Sequence, residues 1–214
     1  MPIEPSPDTW LHRRTIHVDA FEDESDLLLI GHLHDERVSL PTESTPPDRF
    51  ERKTVHQMEL RVRVDTATNT ITDAQARMHD FPHTECPAIT DAFSQLVGLQ
   101  IGPGYNRAVG ELFSGPAGCT HLDHLARVIG PVLVQAQGSL SWRHIANGEL
   151  EPPREPPDSI RDTCHVWQTG GPAEAKLNLG WRATAPSGRV PPVSYFRQRH
   201  PDEARADLEE EPQR

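Results

Sequence analysis

The chain has 214 residues, a mass of 23.9 kDa, a formal net charge of −11 and a pI of about 5.5. This length is sufficient to bury one medium-sized hydrophobic core. The negative charge argues against sequence-independent binding of nucleic acid, which requires a basic surface. No apolar run approaches the roughly 18 residues of a membrane helix, so we expect no membrane partner.

The three cysteines and the N-terminus predict the redox compartment. The first residues contain no basic region followed by an apolar one, so we expect no signal peptide. An odd number of cysteines in a chain without an export signal favours reduced thiols over a disulfide framework. These features predict a cytoplasmic protein.

Composition divides the chain into a globular middle and polar ends, because the 21 prolines concentrate in a few stretches. We expect an extended N-terminus over residues 1–10 and one α+β domain over 11–185, with its core at about 54–145. The fold class predicted is a small antiparallel sheet with helices packed on one face. Residues 186–214 are Pro-rich and then acidic, which predicts a disordered tail.

The clearest strand pattern runs from Thr54 to Val64, where apolar and polar residues alternate. His56 has the parity of the apolar face, so we expect its imidazole to point inward. A turn over 65–69 then leads into a return strand. Pairing Met58 with Met78 and Val62 with Ala74 predicts that His56 lies opposite Asp80. Two earlier strand-like segments are Thr15–Phe21 and Leu27–His34.

Three helices are predicted after the hairpin. The first begins at Cys86, where Pro87 suits the first helical position, and it carries an apolar stripe that ends at Gly98. The second covers about 105–113. The third begins near Thr120, and Gly130-Pro131 should kink or interrupt it. Beyond a proline linker at 152–157, the segment Cys164–Trp167 has the pattern of a short strand.

Two cysteines at predicted helix starts form the strongest chemical signal. Free N–H groups and the helix dipole stabilise a thiolate there, which is the form that binds metals or attacks electrophiles. His121 follows Cys119 by two residues, and soft sulfur with imidazole suits zinc or an iron–sulfur centre. The candidate ligands are His56, Cys86, Cys119, His121 and Asp80, with Asp80 as a fourth ligand or as the partner that orients His56.

Two alternatives remain open at this point. In a thiol enzyme or sulfur carrier, Cys119 or Cys86 would be the nucleophile, His56 the base and Asp80 its orienting group. In a structural or partner-binding module the cysteines would be core residues, and the acidic tail would contact an unidentified protein partner. Whether Cys164 and the neighbouring His165 return to the site cannot be read from their spacing.

Three motifs resemble a known family. They are His56-Gln57-Met58 before the strand, Leu96-Val97-Gly98-Leu99 followed by Ile101-Gly102-Pro103-Gly104, and Gly118-Cys119-Thr120-His121-Leu122. On these motifs, roughly residues 10–170 resemble the bacterial family catalogued as domain of unknown function 2889. That resemblance implies no activity.

The order of elements from His56 to about Ala136 is also similar to the iron–sulfur scaffold fold of IscU and the N-terminal domain of NifU. That resemblance implies that Cys86 and Cys119 stand at the positions of the scaffold's second and third cysteines. His56 would stand where the scaffold has a ligating aspartate, and Thr54 where it has its first cysteine. His121 would then replace the scaffold's ligating histidine from the next turn.

Overall fold

The computed structural model describes residues 10–39, 51–182 and 189–199. Its contacts divide the chain into two units with the boundary between Ala136 and Gln137, where the sequence predicted one domain over 11–185. The predicted extended N-terminus lies outside the described residues, apart from Trp10. The elements are β1 (His12–Asp23), β2 (Asp26–Val38), β3 (Arg52–Asp65), β4 (Thr70–Asp80), a 3-10 helix (Cys86–Leu96), α1 (Tyr105–Phe113), a short 3-10 turn (Gly115–Ala117), α2 (Thr120–Ala146), α3 (Pro172–Asn178) and α4 (Val193–Arg199).

The four strands form one antiparallel sheet in the order β1-β2-β3-β4, so each strand pairs with the next in the chain. The structure is therefore α+β with an antiparallel sheet, as predicted. Both strand-like segments before residue 40 lie within β1 and β2.

One face of the sheet is apolar because every second residue of the central strands is hydrophobic. This face forms one hydrophobic core with residues of the 3-10 helix, α1 and α2. Its members in β2 include Leu27, Leu29 and Leu33, which are all at most 3% exposed. The fully buried residues of the other elements include Leu60, Val64, Phe93, Leu96, Val109, Phe113, Leu122, Leu125 and Ile129.

The predicted pairs Met58–Met78 and Val62–Ala74 are confirmed, but the predicted pairing of His56 with Asp80 is wrong. The register shifts between Gln57 and Met58, so that Asp80 pairs with Gln57. Strand β3 pairs with β2 in one unbroken register from Asp65 to His56, which places His56 opposite Asp35, and a second shift follows between Asp35 and Glu36. An extra residue at a bulge breaks the fixed relation between paired residue numbers, and an alternating pattern does not reveal where that happens.

The helices begin where the sequence predicts, although two of them differ from expectation in form. The segment from Cys86 is a 3-10 helix, and Gly98 follows it with φ of 90°. Helix α2 begins at Thr120 and runs to Ala146 with Pro131 inside it, so of the predicted kink or interruption, the interruption does not occur. None of the described helices combines the length and apolarity needed to cross a bilayer.

The second unit contains α3 and α4, where Leu177 and Phe196 are buried. The predicted strand Cys164–Trp167 is wrong, because these residues form bends and turns in which the Trp167 amide donates to the Cys164 carbonyl. The predicted disordered tail is contradicted over Val193–Arg199, which is helix α4. Residues 183–188 and 200–214 lie outside the described residues.

Candidate functional site

A row of three polar residues crosses the apolar face of the sheet. Arg14 of β1 pairs with Asp35 of β2, and Asp35 pairs with His56 of β3. Asp35 lies on the buried face because it continues the alternation of Leu29 and Leu33. The row is therefore a polar extension of the hydrophobic core, at the end of the sheet where β2 finishes.

The Asp35 carboxylate is the centre of this cluster and is only 1% exposed. Arg14 donates two hydrogen bonds to it, from Nε to Oδ1 at 2.8 Å and from Nη2 to Oδ2 at 2.7 Å. His12 Nε2 lies 3.4 Å from Oδ1. His56 Nδ1 lies 3.2 Å from Oδ2, and His121 Nε2 lies 3.4 Å from the same oxygen. Four basic side chains thus converge on one buried carboxylate.

These contacts keep Asp35 ionised. Burial opposes the charged form, but the hydrogen bonds and positive charge of Arg14 outweigh it. Together with His121 and His12, they lower the pKa of Asp35 to about 2. The carboxylate is therefore negative throughout the neutral range.

His121 comes from the first turn of α2 and closes the cluster from the helix side. Its ring packs against that of His56, with centroids 3.8 Å apart and planes inclined by 32°. Burial, together with the nearby His56 and Arg14, lowers the pKa of His121 to about 4. Burial also lowers the pKa of His56, against the attraction of Asp35. Both imidazoles are consequently favoured in their neutral form at pH 7.

Cys119 lies immediately before α2, and its Sγ is 3.7 Å from His121 Nδ1. The position of Cys119 depends on the preceding residue, Gly118, whose backbone packs closely against Phe113. A Cβ added at Gly118 would lie 2.3 Å from the Phe113 carbonyl oxygen, so only glycine fits there without a backbone shift. Phe113 is itself fixed in the core by stacking on Phe93 at 4.3 Å. The glycine therefore positions the cysteine and the start of the helix.

Asp35, His56 and His121 each place one possible metal-ligand atom within 4.8 Å of the other two. Within the described part of the chain, no other set of three or more His, Cys, Asp or Glu residues meets this distance. Of the predicted ligands, the structure brings His56 and His121 together. It places Cys119 beside His121, outside the group. Cys86 begins the 3-10 helix and is likewise outside it.

Neither Asp80 nor Cys164 is a member of this group. Asp80 is exposed at the end of β4, and it cannot orient His56 as predicted because Asp35 occupies that place. Cys164 is exposed in the second unit.

Sequence reasoning missed Asp35, Arg14 and His12. One signal was present, because Asp35 has the same parity as Leu27, Leu29 and Leu33 in an unbroken run. The strand-like pattern Leu27–His34 ends one residue before this carboxylate and therefore does not include it. Arg14 has no comparable signal, since only the strand pairing brings it to Asp35.

Comparison with known proteins gives one match. No curated protein and no solved structure matches the chain, so the predicted resemblance to the IscU and NifU scaffold finds no support there. A family model described as Protein of unknown function (DUF2889) matches residues 12–135, more than half of the chain. The match begins with β1 and ends next to the boundary of the first unit, so it contains the whole Asp35 cluster. The chain belongs to this family of proteins of unknown function.

Proposed function

We propose that Asp35, His56 and His121 bind one divalent transition metal ion, with zinc as the first candidate. The observation that carries this proposal is the convergence of two imidazole nitrogens on one oxygen of a buried carboxylate. In a tetrahedral zinc site with bonds of about 2.0–2.1 Å, neighbouring ligand atoms lie about 3.3–3.4 Å apart. The distances from Asp35 Oδ2 to His56 Nδ1 and to His121 Nε2 are 3.2 and 3.4 Å.

The protonation states also support metal binding. A metal requires an ionised carboxylate and neutral imidazoles. The pKa of Asp35 is lowered to about 2 and that of His121 to about 4, so at pH 7 the carboxylate is ionised and the His121 imidazole is neutral. Arg14 Nε donates a hydrogen bond to Asp35 Oδ1, so this hydrogen bond can remain when Asp35 Oδ2 binds a metal.

The ligand set favours zinc over an iron–sulfur centre. Clusters of iron and sulfide are held mainly by cysteine thiolates, and the Asp35 group contains no cysteine. Two histidines and one carboxylate are instead the ligands of open zinc sites, in which water occupies the fourth position. A metal held in this way would act as a Lewis acid and would activate its bound water. Cys119 would contact Nδ1 of His121, the ring nitrogen that does not bind the metal.

Metal content tests this proposal directly. We expect about one zinc per chain in protein purified without a metal-affinity tag and reconstituted with zinc, measured by mass spectrometry of the metal. Zinc should be lost in His56→Ala and in His121→Ala. It should be retained in His124→Ala, which removes an exposed histidine of the same helix.

Two results would contradict the proposal. One is wild-type protein that holds no zinc after reconstitution. The other is His124→Ala losing as much zinc as the two ligand variants, since that would indicate binding to surface histidines.

A second candidate function rests on the contact between Cys119 and His121. Cys119 Sγ lies 3.7 Å from His121 Nδ1, and His121 Nε2 lies 3.4 Å from Asp35 Oδ2. This is the order thiol, imidazole, carboxylate that activates a nucleophilic cysteine. His121 takes the role that the sequence assigned to His56, and Asp35 the role that it assigned to Asp80.

Alkylation by iodoacetamide separates this function from metal binding. In metal-free protein at pH 7, we expect His121→Ala to slow alkylation of Cys119 by about tenfold or more, because the base that removes the thiol proton is lost. The exposed Cys164 in the same molecule serves as the internal control, and its rate should not change. Equal rates at Cys119 in the two proteins would exclude a thiol activated by His121.

A further inference from the structure

We infer that the first unit contains a separate binding cavity for a small organic anion, a carboxylate joined to an apolar body. The cavity has a volume of about 610 Å³ and lies at the end of β2, β3 and β4. Cavities of about 300–1,000 Å³ are typical of small-molecule sites. Its lining residues fall into cationic, apolar and polar groups: Arg37 and Lys53; Val38, Val55, Phe81 and Pro82; Ser39, Thr54 and Asp80.

The two cations supply the anion-binding part of the cavity. Arg37 and Lys53 are paired across β2 and β3, so they lie side by side at the end of the sheet. Among the described residues, neither forms an ion pair within 4.0 Å, although the chain as a whole carries a net charge of −11. A planar guanidinium beside an ammonium group suits a carboxylate, which accepts two hydrogen bonds from arginine.

Asp80 sets the charge of the preferred ligand. Its carboxylate lies in the same lining as the two cations, which leaves one net positive charge. A monoanion neutralises that charge, and the apolar side chains of the lining offer no hydrogen-bond donors to the additional charged oxygen atoms of a phosphate dianion. The lining therefore favours an organic carboxylate over a phosphate.

The apolar side chains supply the other half of the recognition. Phe81 is 36% exposed, so part of its ring is available to a ligand. Val38, Val55 and Pro82 line the cavity with it. An aromatic or branched ligand body would bury this surface.

The register shifts of the sheet account for the position of the cavity. Val55 is the extra residue in β3 where Asp35 and Glu36 pair with His56 and Thr54. His79 is the extra residue in β4, where Gln57 pairs with Asp80 and Met58 with Met78. Such bulges interrupt the strand ladder and redirect side chains, and they occur often beside binding sites. Since the cavity shares no residue with the Asp35 group, this inference does not rest on metal binding.

Calorimetric titration with benzoate tests the inference on the full chain. We expect benzoate to bind, and Arg37→Gln and Lys53→Gln each to weaken its affinity by about tenfold through loss of a charged hydrogen bond. Phe81→Ala should weaken it about fivefold. Arg13→Gln is the matched control, because it removes an exposed arginine of β1 that does not line the cavity, and it should leave the affinity unchanged.

The neutral analogue benzamide and inorganic phosphate are the two comparison ligands, and we expect both to bind at least about tenfold more weakly than benzoate. Three results would overturn the inference: no benzoate binding at about 1 mM, phosphate binding as tightly as benzoate, or equal weakening in Arg13→Gln. Titrations of zinc-loaded and chelator-treated protein should agree. Benzoate binding in a protein that holds no zinc would support this cavity while rejecting the proposed metal function.

Discussion

Replacing Asp35 with asparagine is expected to lower the free energy of unfolding of the metal-free protein at pH 7 by about 3 kcal/mol. The carboxylate is 1% exposed and accepts two hydrogen bonds from Arg14. An amide of the same size removes the negative charge and leaves the guanidinium and three imidazoles close together without it. Chemical denaturation followed by circular dichroism measures the change.

The destabilisation caused by Asp35→Asn should depend on pH, and the lowered pKa of Asp35 gives the direction of that dependence. The pKa of Asp35 falls from its ordinary 3.8 to about 2 in the folded chain, which corresponds to about 2.5 kcal/mol of stabilisation of the ionised form. A lowered carboxylate pKa stabilises the fold above the ordinary value, and this stabilisation is lost as pH falls toward the folded value. The stability difference between wild type and Asp35→Asn should therefore shrink between about pH 5 and pH 2.

Glu111→Gln is the control for Asp35, because Glu111 pairs with Arg107 on the exposed surface of α1. Its effect should stay within about 0.5 kcal/mol. An Asp35→Asn variant as stable as Glu111→Gln at pH 7 would show that the buried carboxylate does not stabilise the fold.

Gly118→Ala is expected to destabilise the protein by about 3 kcal/mol. The new Cβ would meet the Phe113 carbonyl oxygen at 2.3 Å and the Phe113 Cβ at 2.7 Å. Phe113 cannot move away cheaply, since it is 1% exposed and stacks on Phe93. The backbone before α2 must shift instead, and it carries Cys119 and His121 with it. Thermal unfolding and zinc content together measure both consequences.

Gly138→Ala is the matched control for this substitution. Gly138 lies inside α2, and an added Cβ there has no atom within 4 Å. Alanine should therefore stabilise the helix by about 0.5–1 kcal/mol, because glycine is the more flexible residue in the unfolded chain. Glycine-to-alanine substitution would then destabilise the protein at position 118 and stabilise it at position 138. Destabilisation at both positions would contradict the steric argument.

The sequence predicted local features of this fold well. The alternation in β3, the hairpin pairs Met58–Met78 and Val62–Ala74, and the helix starts at Cys86 and Thr120 are all present in the structure. Each depends on periodicity or capping within a short window, which residue types determine directly.

The site was predicted only in part, because its assembly depends on pairing between strands. His56 and His121 were identified from parity and from position on a helix. The apolar pattern of β2 ends at His34 and so does not reveal Asp35, and a register without a bulge predicts Asp80 as the partner of His56. A ligand group formed by separate segments requires each register to be known to the residue, and no local pattern supplies that.

The row of Arg14, Asp35 and His56 also constrains how the strands align during folding. A slip of two residues between β1 and β2 would keep every side chain on its own face and preserve the apolar pattern. It would, however, place Ile16 or His12 opposite Asp35 in place of Arg14. A buried carboxylate without its guanidinium costs several kcal/mol. The same charge that makes this cluster a candidate ligand group therefore selects one alignment of the β1–β2 hairpin from alternatives that hydrophobicity alone would not distinguish.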